Sequence, residues 1–169
     1  MTCVVRPFTN DDISQVVEIY IAAFAEPPWS ESWSEDEVRK DMDYALSQTD
    51  PVIIVAEIGR DIIGFTWGYN LPLEKFPFLS GNTDKKSSYM DEIAVRPEKR
   101  LSGVGKLLGQ AYMESARRIA YVDLVLRTDE NNSASLALFR NMGLEIINGA
   151  EKPLRDPVYP SRIYMRRKL

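Results

Sequence analysis

Apolar positions along this chain follow two periods, and the switches between them lay out its elements. Val4–Pro7 reads as a short extended segment, after which Thr9 stands three residues before Asp12 in the spacing of a helix N-terminus. Ile13, Val16, Val17, Tyr20, Ile21 and Phe24 then recur at three- and four-residue intervals, one stripe of a helix that Pro27-Pro28 stops. Ser34 and Glu37 form a capping-box pair opening a second helix to about Gln48, with Val38, Met42, Ala45 and Leu46 as its apolar positions. Beyond it the period shortens. Val52–Ile58 and Ile62–Tyr69 flank Gly59-Arg60-Asp61, a hairpin signal. Asn70–Lys86 is too long for an ordinary connection, and Phe76 and Phe78 mark it as a packed loop. Ser88–Val95 is a strand ending at Arg96-Pro97, and Gly103 opens a helix to about Ile119 with Val104, Leu107, Leu108 and Ala111 on one stripe. A strand at Tyr121–Thr128, a helix at Ser133–Met142, a strand at Leu144–Ile147, a second long loop and a strand at Arg162–Arg167 complete the chain. The order β-α-α-β-β-β-α-β-α-β-β predicts an α/β (α+β) fold: a mixed sheet with helices on its faces.

Composition narrows the chemistry. With 169 residues, no linker-like stretch and no internal repeat, residues 1–169 read as one domain. Twenty-one Lys and Arg against 25 Asp and Glu leave a net charge of −4, which argues against nucleic-acid binding. The longest apolar runs, such as Val52–Ala56, span only a few residues, so no membrane segment is expected. The first residues lack a basic stretch followed by an apolar one, so no secretory leader is expected and the cytoplasm is the expected location. One cysteine precludes an internal disulfide or a multi-cysteine zinc site. The absence of histidine precludes a Ser-His-Asp triad, a Cys-His dyad and a histidine-bound metal, and no metal is assigned. Carboxylates, hydroxyls, backbone dipoles or a bound cofactor remain.

The most informative stretch runs from Tyr89 to Lys106, where a strand leads through a short basic turn into glycines at a helix start. Glycine lets the backbone approach a ligand closely and bares N–H groups at the positive end of a helix, the physical form of a phosphate site. Lys99, Arg100 and Lys106 add positive charge. A Walker A loop would need glycine at Arg100 and Ser or Thr at Leu107, and a dinucleotide fingerprint would need glycine at Leu108. Both fail. The alternative that the glycines merely cap and pack a helix stays open.

The pattern that does match is Arg-x-x-Gly-x-Gly from Arg100 to Gly105, and here the chain resembles the GNAT-type N-acetyltransferases. Asn132-Ser133-Ala134-Ser135-Leu136-Ala137-Leu138-Phe139 through Gly143-Leu144 resembles that family's second signature, Asn-x-x-Ala-x-x-Leu-Tyr-x-x-x-Gly-Phe, and Ile163–Arg167 its last strand. The resemblance covers nearly the whole chain. It implies a mostly antiparallel sheet of about seven strands with about four helices. It also implies that Arg100, Leu101, Ser102, Gly103, Val104, Gly105 and Lys106 cradle the pyrophosphate of acetyl-CoA, with Asn132, Ser135 and Phe139 also on the cofactor side. Serine at 135 replaces the family's alanine. Phe139 replaces a tyrosine that in many relatives protonates the departing thiolate, and a phenyl ring cannot do so.

Acetyl transfer to an amine needs that amine neutral, although an alkyl ammonium titrates near ~10. A carboxylate, directly or through water, can take the proton. Asp91 and Glu92 lie on the central strand just before the acetyl position that the resemblance implies. Neighbouring strand residues face opposite sides, so one of the two is expected to reach the cleft, with Glu92 favoured as the longer. The other reading makes both surface or salt-bridged carboxylates. Backbone N–H groups around Ile93, Ala94 and Val95 are expected to hold the oxyanion. In the resembling fold the stretch from Glu26 to Glu37 borders the acceptor mouth. Its Trp29 and Trp33 are either pocket walls for a cationic amine or core plugs, and Glu35, Asp36 and Glu37 suit a helix N-terminus. Trp67 and Tyr69 read as sheet packing, and Cys3 as a small buried hydrophobe.

Two functions follow. One is acetyl-CoA-dependent transfer to a primary amine of a small molecule or peptide, by direct attack in a ternary complex. The other is a non-catalytic acyl-CoA-binding or regulatory module of the same fold, which Phe139 favours. Dimers are frequent in the family, which leaves a homodimer and a monomer both open.

Overall fold

A computed structural model describes residues 2–84, 86–150 and 152–169. It builds the expected sequence of elements into one sheet. The strands are β1 (Cys3–Pro7), β2 (Val52–Ile58), β3 (Asp61–Asn70), β4 (Ser87–Val95), β5 (Asp123–Asp129), β6 (Glu145–Ile146) and β7 (Arg162–Lys168). The helices are α1 (Ile13–Phe24), α2 (Glu35–Ser47), α3 (Val104–Arg118) and α4 (Ser133–Asn141). The sheet order is β1-β2-β3-β4-β5-β7-β6, antiparallel throughout except for the β4–β5 pair. That parallel pair is joined by α3, the crossover such a connection requires.

Local chemistry explains the ends. Asp12 accepts hydrogen bonds from the Thr9 N–H and hydroxyl at 2.8 and 3.1 Å, but the turn it closes, Asn10–Asp12, is 3-10, so α1 starts only at Ile13. The Ser34–Glu37 capping box is formed as expected, with the Glu37 carboxylate accepting from the Ser34 N–H at 2.8 Å. β6 is shorter than predicted because the Leu144 N–H is taken by the Phe139 carbonyl at the end of α4. The 70–86 loop is packed, with Phe76 and Phe78 seated on Tyr164 at ring separations of 5.8 and 5.4 Å.

Two cores lie on opposite faces of the sheet. α1 and α2 cover Phe65, Trp67, Tyr69 and Tyr89 on one side; α3 and α4 cover Ile54, Ala56, Ile63, Met90, Leu124 and Leu126 on the other. Burial of these side chains, each worth about 1.5–3 kcal/mol, fixes which face every strand residue presents.

Two irregularities position the site. β4 pairs with β5 only from Ser87↔Asp123 to Met90↔Leu126, although both strands run on, so their C-terminal halves diverge as a V. The closed end is locked by Asp123, fully buried, which pairs with Arg166 at 2.7 Å and accepts from the Ser87 hydroxyl at 3.2 Å. The second irregularity is a bulge in β4. Trp67 pairs with Glu92 but Gly68 pairs with Met90, leaving Asp91 unmatched. Position 68 must be glycine for this, because a Cβ there would stand 2.2 Å from the Tyr89 carbonyl oxygen. Among the described residues no helix is long and apolar enough to cross a membrane.

Candidate active site

The turn after β4 presents a row of amides unpaired among the described residues. Leu101 and Gly103 both have positive φ, 60° and 86°, which turns successive amides toward one side. The first α3 hydrogen bond runs from the Leu107 N–H to the Gly103 carbonyl at 3.1 Å. Among the described residues the N–H groups of 101 through 106 have no hydrogen-bond partner, six bare donors at the positive end of a helix. Leu101, Ser102 and Gly103 are exposed and a Cβ on Gly103 would meet nothing within 4 Å, so conformation rather than crowding demands glycine there. Gly105 differs: its Cβ would lie 3.2 Å from Leu138, so it serves the contact between α3 and α4. Val104 is in the core, Lys106 is exposed, and Arg100 is ion-paired with Glu26.

The second signature forms α4 alongside. Asn132 caps it, its side chain accepting from the Ser135 N–H at 3.1 Å, and Phe139 is its one buried residue, packed in the α3/α4 core. The sequence placed Asn132 on the cofactor; in the structure its side-chain oxygen is engaged in that cap.

Along the open edge of β4 the amides alternate. The Arg96 N–H donates to the Ile63 carbonyl on β3 at 2.8 Å, so the N–H of Ala94 points the same way and those of Ile93 and Val95 point into the V. Of the three residues expected to supply oxyanion donors, Ala94 therefore turns its N–H away.

The carboxylates depart further from expectation. Strict alternation predicted that Asp91 and Glu92 face opposite sides; the bulge overrides it. Tyr89 and Ala94 belong to the α1/α2 face and Met90 to the other, and the extra residue brings Asp91 and Glu92 together onto the α1/α2 face. There they meet Asp41 of α2, with one oxygen of each within 4.8 Å of the others, a spacing that suits a shared cation. The Tyr20 hydroxyl bridges Asp41 and Glu92 at 3.2 and 3.4 Å, and the Tyr69 hydroxyl donates to Asp91 at 3.0 Å. Burial raises the Glu92 carboxyl well above the usual carboxylate range, and Asp91 and Asp41 push it further. Burial likewise raises Asp91, and burial with the Asp91 charge pushes Asp41 up to about 6. The cations that act on Asp91, Arg127 and Lys75, are engaged elsewhere: Arg127 with Asp156 at 2.7 Å, Lys75 over the Tyr44 ring at 3.8 Å. Among the described residues no cation forms an ion pair with any of the three carboxyls.

Asp41 and Tyr20 were missed from sequence. The available signal was Asp41's place three residues after Val38 and four before Ala45, a carboxylate on the stripe that α2 buries. Of the tryptophans, Trp33 stands edge-on to Tyr20 at 5.3 Å and donates to Glu31 at 2.8 Å, so it walls the cluster; Trp29 lies under the Arg162 guanidinium at 5.5 Å. Trp67 is sheet packing as expected, while Tyr69, buried beside it, also orients Asp91. Cys3 is half-buried, and burial raises its thiol.

Residues 15–144 match the acetyltransferase (GNAT) family. No curated protein matches the chain. Among solved structures, the PaiA N-acetyltransferase of Thermoplasma acidophilum in complex with coenzyme A superposes with a TM-score of 0.74 at 15% identity, covering 100% of both chains. YncA, a putative acetyltransferase of Salmonella typhimurium solved with acetyl-CoA, gives 0.75 at 15% identity over 100% of this chain and 95% of that one. A ribosomal-protein-alanine N-acetyltransferase of Brucella melitensis gives 0.74 at 20% identity over 98% and 99%. At these identities the likeness is one of fold.

Proposed function

As a member of the acetyltransferase (GNAT) family the chain is an acetyltransferase, and we propose that its acceptor is a primary amine of a small molecule or peptide, attacking directly in a ternary complex. The observation that carries the amine is the trio Asp41, Asp91 and Glu92 on the α1/α2 side of the V. Such a cluster attracts an ammonium and then has the basicity to take its proton.

The roles divide as follows. The six bare N–H groups of 101–106 fit a diphosphate, and acetyl-CoA held there supplies a thioester to the V. The N–H groups of Ile93 and Val95 face the side where negative charge grows on the attacked carbonyl oxygen. Glu92, with Asp91 sharing its site, takes the ammonium's proton before attack; the C–N bond then forms, the C–S bond breaks, and the second N–H proton leaves to solvent or to the departing thiolate. A carboxyl raised toward neutrality is a stronger base than an ordinary one, which suits the task. Phe139 has no proton to give, so the thiolate takes its proton from that nitrogen or from solvent, or leaves charged.

That last feature supports the second reading, a module that binds acyl-CoA without turnover. One assay decides between them: thiol release from acetyl-CoA with a panel of polyamines, amino-acid amides and peptides, with mass detection of the product. Amine-dependent thiol release with an acetylated product is expected. Binding of CoA without release by any amine overturns the catalytic reading and leaves the module.

A further inference from the structure

The segment between α1 and α2 is fastened at both ends, and each fastening lies on a different arm of the V. Glu26 pairs with Arg100, on the turn that follows β4. Glu31 pairs at 3.5 Å with Arg162, the first residue of β7, which lies in register with Asp129 at the end of β5. Between the two ion pairs the chain is a closed turn at the end of α1: the Ser30 N–H donates to the Glu26 carbonyl at 3.0 Å and the Glu31 N–H to the Phe24 carbonyl at 2.8 Å. The two ends are not equally held. Arg162 is also sandwiched by Trp29 at 5.5 Å and Tyr159 at 4.1 Å, and only 18% of its side chain is exposed. Arg100 and Glu26 are 41% and 44% exposed and rest on that one ion pair with each other. The pair at Arg100 is the weaker fastening.

Arg100 also belongs to the turn whose bare amides fit a diphosphate, so a carboxylate now occupies the guanidinium nearest that site. We propose that Glu26 is an intramolecular competitor for the cofactor's phosphates at Arg100. Cofactor binding then releases the Glu26 carboxylate from Arg100. The exchange is between anions on one guanidinium and involves no covalent step. A diphosphate offers more acceptor oxygens and more charge than one exposed carboxylate, so it wins the competition. Linkage makes the effect reciprocal: whatever the ion pair contributes to the free protein is subtracted from cofactor affinity. The inference rests on the acetyl-CoA reading of the turn.

Calorimetry with CoA on the full chain tests it, using Glu26→Gln, Arg100→Gln and the double variant. An exposed ion pair is worth little, so Glu26→Gln is expected to tighten CoA by about two- to fivefold. In the Arg100→Gln background the same change should do nothing. A gain of equal size in both backgrounds would mean that Glu26 acts only through long-range charge, and an unchanged or weaker Kd in Glu26→Gln would mean no competition; either overturns the proposal. If wild type itself shows no heat with CoA, the reading of the turn fails, whereas CoA binding with no effect of Glu26 fails the competition alone.

Discussion

The proposed cofactor turn and the two β4 carboxylates of the acid cluster lie within a dozen residues of each other, yet turn and cluster are made in opposite ways. The turn is contiguous, exposed and chemically anonymous: six successive backbone N–H groups oriented by positive φ at Leu101 and Gly103. The cluster is half-buried and made of side chains from α2 and β4, held by hydroxyls from α1 and β3. Binding an anion through amides needs only local conformation, which a short motif specifies. Making a carboxylate basic needs loss of solvent and a like charge nearby, which only tertiary packing supplies. The comparison turns into experiments that affect one region and spare the other.

The largest effect belongs to the base. Glu92→Gln removes the proton acceptor while keeping its shape, and turnover at neutral pH should fall by roughly 10²–10⁴-fold with CoA affinity unchanged. Asp91→Asn should do less, since it removes a neighbour whose charge raises Glu92. Both rates should partly recover at high pH, where the amine deprotonates itself. Steady-state kinetics across pH at saturating acetyl-CoA checks this. Wild-type rates and profiles in both variants would hand the proton to water.

On the turn the reverse pattern is expected, with a smaller effect. Gly103→Val meets no neighbour, but it forces a β-branched residue into positive φ at about 1–3 kcal/mol. CoA affinity should therefore weaken by up to about 100-fold with the pH profile of turnover unmoved. Gly105→Ala asks Leu138 to give by a few tenths of an ångström and should weaken CoA only a few-fold. Calorimetry on the two folded variants separates them, and an unchanged Kd in Gly103→Val would place the phosphates elsewhere.

How much of this was readable beforehand divides along the same line. Capping at Ser34, the stripes of α1 and α3 and the hairpin after Ile58 are local signals, and they gave the element order correctly. The turn's conformation was legible because it is local, with positive φ at Leu101 and Gly103. The cluster was half legible: Asp91 and Glu92 were named, but strand alternation sent them to opposite faces. The bulge that unites them depends on Gly68 of another strand letting the Tyr89 carbonyl close in. Asp41 contributes from 50 residues upstream, and its one sequence mark was a charge on a buried stripe.

The smallest effect, and the most specific to the cluster, is the pH dependence of stability in Asp41→Asn. The Asp41 carboxyl sits at about 6 in the folded chain, against an ordinary value of about 3.9 when unfolded. The folded state therefore binds the proton more tightly, and this group's contribution to stability is lost as pH rises from about 4 through 6. Asparagine cannot ionise, so the variant should be more stable than wild type above pH 6, with the difference fading below pH 4. Asp41 is half-buried and screened by solvent, which limits the gain to about 1 kcal/mol. Denaturant melts at pH 4 and pH 7.5 measure it. Removing this charge also relieves Glu92, whose carboxyl Asp41 pushes up, so the acid limb of the pH–rate profile should move to lower pH. A variant less stable than wild type at pH 7.5 would mean that the hydrogen bond from Tyr20 outweighs the repulsion. The trio would then be held together by its hydroxyls, and its charge would be a consequence of the packing and not its strain.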